Sequence, residues 1–319
     1  MSYTRRTVLT SMISAAALAQ RPPRRPAWKP KLGILCQFSE ANIEFAKQDG
    51  FTSVGLWADP RAALNPETIT DAEVEHVKDV VRRAGLHLSV LGCQQSHIDA
   101  DRDTRARANA YFAKVIELAG RLGVAHVGTG SGNMPGRSLE EQVDEIVRVY
   151  HEKYFPVCEK HNVRILWEPW AGGRNIAIGP VGYEALFKAF GDTPYVGLQY
   201  DPSHLAWQMM DPIQCARDFV DKIYDVHLKD TEIRWHILRK TGIHPLNNAR
   251  WWRFRLPGQG SIDWKAFFTV LEEAGFSGAM NIEHEDELYH PSYNGHELGD
   301  GYKTGFHVAH QYLKQFVPV

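Results

Sequence analysis

Four polar residues stand at or just after the ends of short apolar segments in the second half of the chain. They are Glu168 in "LWEP", Asp201 in "LQYDPSH", His227 in "DVHLKD" and Glu283 in "NIEHED". Burying ionised groups costs several kcal/mol each unless a positive charge compensates them. Three carboxylates and one imidazole suit one divalent cation. Oxygen predominates over nitrogen, which favours a harder ion such as Mn²⁺, Mg²⁺ or Co²⁺, with Zn²⁺ possible.

The four residues could instead have structural roles that involve no metal. A single acid after a strand commonly caps the next helix or pairs with an arginine. The cluster could also be neutralised by a salt-bridge network with Lys229, Arg174 or Arg234. Glu285 and Asp286 would either orient the metal ligands or form a solvated acidic loop. Four such residues on successive segments are harder to explain by capping, which favours the cation.

The elements that would position these residues alternate regularly along the chain. Segments with apolar residues at helical spacing separate eight short β-rich runs. Strict alternation predicts a parallel sheet covered by helices, and eight units in about 290 residues predict a closed (β/α)8 TIM barrel. The alternative, an open doubly wound sheet, lacks the G-x-G-x-x-G that would follow its first strand. The runs are residues 31–36, 53–57, 86–93, 125–130, 163–169, 195–201, 223–230 and 279–285.

In such a barrel the carboxyl ends of all strands meet at one mouth, where barrel enzymes place their chemistry. The four polar residues lie near the carboxyl ends of the fifth to eighth runs, so we expect them to converge there. The composition fits one globular domain of barrel size, with 319 residues, 44% hydrophobic and 23% charged. A formal net charge of -2 provides no field for nucleic acid, so we expect a small-molecule partner. The four cysteines have no C-x-x-C spacing, which predicts no disulfide.

The N-terminal segment has the pattern of an export signal. In "TRRTVLTSMISAAALAQ" two arginines precede a short uncharged apolar stretch and an Ala-Leu-Ala cleavage pattern. We therefore predict a twin-arginine-type signal peptide over residues 1–19, a linker over 20–30 and one catalytic domain over 31–319. With such a signal the protein would be periplasmic or secreted. If the segment is not an export signal, the protein would be cytoplasmic. The apolar stretch is too short for a stable membrane anchor, which needs roughly 20 residues.

With these residues in view, the chain resembles the sugar phosphate isomerase/epimerase family from about residue 31 to its C-terminus. That family has the xylose isomerase-like barrel and includes ketose 3-epimerases, inosose dehydratases and, more remotely, endonuclease IV. The resemblance depends on the order of "WEP", "YDPSH", "VHLKD" and "NIEHED". It implies that Glu168, Asp201, His227 and Glu283 bind the metal.

The resemblance also implies a mechanism. Glu168 and Glu283 would be the acid/base pair, abstracting a proton next to a metal-bound carbonyl and returning one through an enediolate. His204 and Lys229 would hold substrate oxygens. Further residues near the predicted strand ends and loops are candidates for substrate binding: His97, Trp57, Trp170, Arg174 and Arg255. Packing in the core would explain His97, Trp57 and Trp170 equally well.

One segment departs from simple epimerases. The seventh and eighth runs start 56 residues apart because of a long loop insertion over residues 231–260. Long loops in compact domains are usually functional. The loop could stack aromatic rings on a sugar and bind an anion, or it could form a contact in a homo-oligomer. The residues concerned are Arg250, Trp251, Trp252, Arg253, Phe254 and Arg255.

Three functions follow. The first is a divalent-metal-dependent isomerase or epimerase of a ketose or related sugar. The second is a lyase or hydratase that acts on a keto-sugar or 3-keto-glycoside with the same metal site. The third is a non-catalytic carbohydrate-binding barrel. An endonuclease is disfavoured, because "TEIRWH" offers only Glu232 and His236 as further ligands for a trinuclear zinc site.

Overall fold

The computed structural model describes residues 28–173 and 175–317. Eight parallel strands close into a barrel in the order β1-β10-β7-β6-β5-β4-β3-β2. This confirms the predicted (β/α)8 fold. The barrel strands are β1 (Lys31–Cys36), β2 (Ser53–Trp57), β3 (His87–Gly92), β4 (His126–Thr129), β5 (Arg164–Trp167), β6 (Val196–Tyr200), β7 (Ile223–Leu228) and β10 (Ala279–Ile282).

Helices cover the outside of the barrel and alternate with its strands. Several begin at a residue that accepts the free N–H groups of the first turn, as in the capping boxes at Thr70 and Ser138. The helices are α1 (Glu40–Asp49), α2 (Asp71–Ala84), α3 (Arg102–Leu122), α4 (Leu139–Val149), α5 (Phe155–His161), α6 (Pro180–Phe190), α7 (Pro202–Trp207), α8 (Pro212–Phe219), α9 (Trp235–Thr241), α10 (Trp264–Glu273) and α11 (Asp300–Leu313). No helix in these two described ranges is long and apolar enough to cross a membrane.

A polar layer fills part of the barrel interior. Asp225 on β7 is fully buried and accepts hydrogen bonds from Gln199 Nε2 (2.9 Å) and Asn281 Nδ2 (3.2 Å). The Asn281 amide also donates to Ser89 Oγ at 2.9 Å. At Gly128 on β4 a Cβ atom would lie 2.2 Å from Gln199 Oε1, so only glycine leaves room for this side chain. A hydrogen-bonded polar layer therefore lies inside the barrel, below its mouth.

The predicted long loop at 231–260 is largely ordered as a hairpin, which corrects the sequence-based description. Strand β8 (Asp230–Ile233) pairs antiparallel with β9 (Trp252–Arg255), and α9 lies between them. Glu232 on β8 accepts hydrogen bonds from Arg253 (2.6 Å) and Arg255 (3.0 Å) on β9. Each strand has only four residues, and residues 234–251 separate the two strands in the chain, so the sequence did not reveal their pairing.

Asp230 fixes the two ends of this insert. Its carboxylate is fully buried and accepts five hydrogen bonds of 2.7 to 3.1 Å. The donors are the backbone N–H groups of Thr231, Gly258, Gly260 and Ile262 and the Trp264 indole. A Cβ at Gly260 would lie 2.2 Å from the carboxylate, so glycine is required for this close approach. The chain thus returns from the hairpin directly beside the end of β7.

Two sequence-based predictions concern other parts of the chain. The predicted signal peptide and most of the linker lie outside the described residues. The four cysteines are all buried and free. The short strands β11 (Tyr293–Asn294) and β12 (Glu297–Leu298) precede α11 and complete the elements.

Candidate metal centre

The barrel brings together the four residues singled out from the sequence. Glu168 directly follows β5, Asp201 is the N-cap of α7, His227 lies in β7 and Glu283 directly follows β10. One ligand atom from each residue lies within 4.8 Å of the others. Three of the side chains are almost fully buried, and only that of Glu283 has appreciable exposure, at 12%. The mouth of the barrel therefore contains a compact cluster of three carboxylates and one imidazole.

Two further basic side chains touch this cluster. His227 Nδ1 lies 2.9 Å from Glu168 Oε1 and 3.1 Å from Glu283 Oε2. His204 Nε2 lies 3.4 Å from Asp201 Oδ2 and 3.7 Å from Glu168 Oε1. Lys229 Nζ lies 2.6 Å from Glu283 Oε2 and 3.1 Å from Asp201 Oδ2. The fold thus places His204 and Lys229 beside the four clustered residues.

Contacts within the cluster shift the pKa values of His227, Glu168 and Glu283. Burial alone would lower the pKa of His227, but the carboxylates of Glu283 and Glu168 raise it well above its ordinary value. Burial alone would raise the pKa of Glu168, but the His227 charge and hydrogen bonds from His204 and His227 hold it well below its ordinary value. For Glu283, Lys229 outweighs burial and lowers the pKa. The cluster therefore favours the ionised forms of the Glu168 and Glu283 carboxylates.

The donor set fits a divalent metal ion. Asp201 Oδ2 and His227 Nε2 are buried atoms without a hydrogen-bond partner, and Lys229 approaches Oδ2 without the alignment of a hydrogen bond. Buried polar atoms are nearly always paired, so unpaired ones in a cluster indicate a ligand. Oxygen ligands with one imidazole suit Mn²⁺, Mg²⁺ or Co²⁺, and Zn²⁺ is compatible. These residues are therefore suited to hold the divalent metal ion that the sequence suggested.

Sequence reasoning missed Gln94, which touches the centre directly. Its amide donates to Glu168 Oε2 at 2.6 Å, and its Oε1 accepts from the Gly130 backbone at 2.9 Å. Gln94 thereby orients a proposed ligand. The available signal was its position two residues after β3, in "LGCQQSH", the same segment that supplied His97 as a candidate.

His97 itself is a packing residue in this structure. It is fully buried, and its ring nitrogens bond Tyr154 Oη (2.7 Å) and Thr129 Oγ1 (2.9 Å). Burial lowers its pKa to about 3, so the ring is neutral. With both nitrogens engaged in the protein, His97 does not enter the substrate-binding set that we propose below.

Asn175 holds the loop after Glu168 and was also missed. Its amide donates to the Glu168 carbonyl (2.6 Å), and its Oδ1 accepts from the Ser131 backbone (2.8 Å). Arg174, the neighbouring candidate, lies outside the described residues. Of the two candidate tryptophans, Trp57 ends β2 half-buried against Gly92, and Trp170 is 36% exposed beside Gly172.

Arg255 has protein partners rather than an open face. Its guanidinium donates to Asp286 (2.8 Å), Glu232 (3.0 Å) and Gln259 (2.5 Å). Asp286 is fully buried, so it does not belong to a solvated acidic loop. This network ties the hairpin to the segment after β10. Three of the five N–H donors of Arg255 are thus engaged within the protein, and we leave Arg255 out of the substrate-binding set that we propose below.

The aromatic side chains of the hairpin pack against α7. Trp252 stacks on Trp207 with ring centroids 4.7 Å apart and an interplanar angle of 12°, while Arg250 lies 4.5 Å from the Trp252 ring. Phe254 meets the His204 ring edge-on at 5.3 Å, and Lys229 Nζ lies 4.5 Å from the Phe254 centroid. The hairpin therefore supports His204 and Lys229.

Two curated relatives differ in how much of the chain they match. The Bacillus subtilis (strain 168) protein YfiH, described as uncharacterized, is 27% identical over 290 residues, which cover 79% of this chain and 90% of that protein. Inosose dehydratase of Clostridium tetani (strain Massachusetts / E88) is 34% identical over 97 residues, which cover 30% of this chain and 33% of the dehydratase.

Solved structures share the fold over nearly the whole chain. A xylose isomerase domain protein from Planctomyces limnophilus has a TM-score of 0.69 at 18% identity, covering 91% of this chain and 97% of that one. A D-psicose 3-epimerase crystallised in the presence of D-fructose has a TM-score of 0.65 at 15% identity, covering 91% and 100%. The family description of the xylose isomerase-like TIM barrel matches residues 43–308. By this match and by its closed eight-stranded barrel, the chain belongs to the xylose isomerase-like TIM barrel family.

Proposed function

We propose that this protein is a divalent-metal-dependent isomerase or epimerase of a ketose or related sugar. The observation that carries the proposal is the cluster of Glu168, Asp201, His227 and Glu283, with ligand atoms within 4.8 Å of one another at the barrel mouth. Structural similarity to a D-psicose 3-epimerase supports the same class of reaction. Manganese is our preferred ion because oxygen donors predominate.

The two glutamates are the proposed proton-transfer groups. A divalent ion supplies charge that polarises a sugar carbonyl and lowers the pKa of the adjacent C–H. Glu168 and Glu283 come from β5 and β10, which two strands separate in the barrel. Carboxylates placed on two sides of the substrate allow one to take the proton and the other to return one to the opposite face. Asp201 and His227 serve only as ligands.

His204 and Lys229 are the proposed substrate-binding groups. Both are buried beside the ligands, with Lys229 Nζ 3.3 Å from His204 Nε2. N–H donors fixed at this position would stabilise negative charge that develops on the sugar oxygens. Trp57, Trp170 and Arg174 remain candidates for the outer part of the pocket.

A lyase or dehydratase that acts on a keto-sugar is the second candidate. The match to an inosose dehydratase over 97 residues favours it. The chemistry begins with the same proton abstraction, after which the carbanionic sugar expels a substituent instead of being reprotonated. The lyase would therefore release a substituent of the sugar, whereas the epimerase would release none.

Hydrogen exchange distinguishes these reactions. Mn²⁺-loaded protein would be incubated in deuterated water with D-fructose, D-psicose, an inosose and a 3-keto-glucoside, and followed by NMR. We expect deuterium next to the carbonyl with all substituents retained, and we expect Glu283→Gln to abolish this exchange. The matched control is Glu287→Gln, because Glu287 is an exposed acid that pairs with Arg250.

The remaining outcomes have defined meanings. Release of water or an aglycone would favour the lyase. Binding of these sugars without exchange or release would contradict both enzyme proposals and leave the carbohydrate-binding barrel.

A further inference from the structure

Lys229 lies within reach of three carboxylates at once. Its ammonium is 2.6 Å from Glu283 Oε2, 2.8 Å from Glu285 Oε2 and 3.1 Å from Asp201 Oδ2. The side chain is 1% exposed, so water does not screen these contacts. A face of the Phe254 ring completes the environment, with its centroid 4.5 Å from Nζ.

These partners fall into two groups. Glu283 and Asp201 are proposed metal ligands. Lys229 approaches Glu283 Oε2, which also lies 3.1 Å from His227 Nδ1, and Asp201 Oδ2, which has no hydrogen-bond partner. Glu285 and Phe254 are not ligands. The Glu285 side chain is 48% exposed and reaches Lys229 from the rim of the mouth. The Lys229 ammonium therefore contacts two proposed metal ligands, Glu283 and Asp201. It also contacts two groups that would not bind the metal, the Glu285 carboxylate and the Phe254 ring.

We infer that Lys229 competes with the metal ion for Glu283 and Asp201, and that Glu285 is a positioning residue that draws Lys229 aside and thereby sets the metal affinity. Two positive charges cannot share the same buried oxygens without strong repulsion, so Lys229 must give up part of these contacts when the metal binds. Glu285 and the Phe254 ring provide the compensating attraction. This inference rests on the proposed metal site.

The competition predicts opposite effects of two substitutions. Lys229→Met keeps the length of the side chain but removes the competing charge, so the affinity for Mn²⁺ should rise. Glu285→Gln removes the attraction that holds Lys229 aside, so the affinity should fall. Groups behind metal ligands typically change affinity by about 10- to 100-fold, and we expect about tenfold in each direction.

Competition titration of Mn²⁺ against a chelator measures both affinities, and thermal unfolding in chelator is a second measurement. Without metal, Lys229→Met should unfold at a lower temperature than the wild type, because three carboxylates lose their buried counter-charge. Saturating Mn²⁺ should restore most of the difference. Two control variants remove charges that do not touch Lys229: Arg253→Gln, whose arginine pairs with Glu232, and Glu287→Gln.

The outcomes separate this inference from the proposed function. A wild type that binds no divalent ion would overturn the metal site itself. A wild type that binds Mn²⁺, with Glu285→Gln binding equally well or more tightly, would overturn only the competition. Equal shifts in the control variants would also overturn it, because a general charge effect would then explain them. If Lys229→Met does not fold, Glu285→Gln alone decides, since it leaves every ligand in place.

Discussion

Asp225 should make the folded protein less stable as the pH rises, and an amide at this position should remove the effect. Burial raises the pKa of this fully buried carboxyl from 3.8 to about 6, despite the His227 charge and the hydrogen bonds from Gln199 and Asn281. The folded protein thus binds this proton more tightly than the unfolded chain. The contribution favours folding below pH 3.8 and is lost as the pH rises through about 6.

The size of the effect follows from the two pKa values. At about 1.4 kcal/mol per tenfold change in proton affinity, ionised Asp225 costs about 3 kcal/mol above pH 6. At pH 4.5 the cost is only about 1 kcal/mol. Asp225→Asn cannot ionise. The variant should therefore gain about 2 kcal/mol relative to the wild type between pH 4.5 and 7.5.

Urea denaturation at several pH values, in chelator so that metal binding does not contribute, measures this difference. The control is Asp192→Asn, because Asp192 is an exposed turn residue of the same type. Its free energy of unfolding should follow the wild type at every pH. A constant difference between Asp225→Asn and the wild type across this pH range would refute the reasoning.

Three further predictions concern the hairpin and the metal centre. Asp230→Asn should lower the free energy of unfolding by about 3 to 5 kcal/mol, because its amide nitrogen would face at least two of the five donors and leave them unpaired. Urea denaturation tests this, and a loss below about 1 kcal/mol would contradict it. Gln94→Leu should weaken Mn²⁺ binding by about 10- to 100-fold, because Glu168 loses its 2.6 Å hydrogen bond; an unchanged dissociation constant in a chelator titration would argue against this role. Binding of Mn²⁺ must displace the proton of His227, whose pKa the carboxylates of Glu283 and Glu168 hold well above its ordinary value despite burial. The apparent affinity should therefore rise by up to about tenfold per pH unit between pH 6 and 8, with release of about one proton. Calorimetry in two buffers of different ionisation enthalpy measures the proton, and pH-independent binding would count against His227 as a ligand.

The parts of the site that the sequence predicted are those that depend on strand periodicity. Alternating runs located the eight barrel strands, and the residues at their ends gave Glu168, Asp201, His227 and Glu283. The same alternation places Asp225 on the face of β7 that carries His227, because side chains two apart in a strand point the same way. The sequence could therefore have predicted that the Asp225 side chain points into the barrel interior, but this prediction was not made.

The remaining residues depend on contacts between distant parts of the chain. Gln94 acts on Glu168, 74 positions away, and Asn175 bonds Ser131, 44 positions away. An amide has no spacing rule that marks it as a partner of a ligand, whereas His97 attracted the functional interpretation by residue type. The hairpin within residues 231–260 was similarly hidden, since its two four-residue strands pair across residues 234–251, which separate them in the chain.

Anomalous diffraction from crystals loaded with Mn²⁺ tests the central claim most directly, because it locates the ion as well as detecting it. We expect one strong peak per chain at the barrel mouth, about 2.2 Å from an oxygen or nitrogen of each of Glu168, Asp201, His227 and Glu283. A protein that processes its sugar with no peak there, or with Mn²⁺ bound elsewhere, would contradict it.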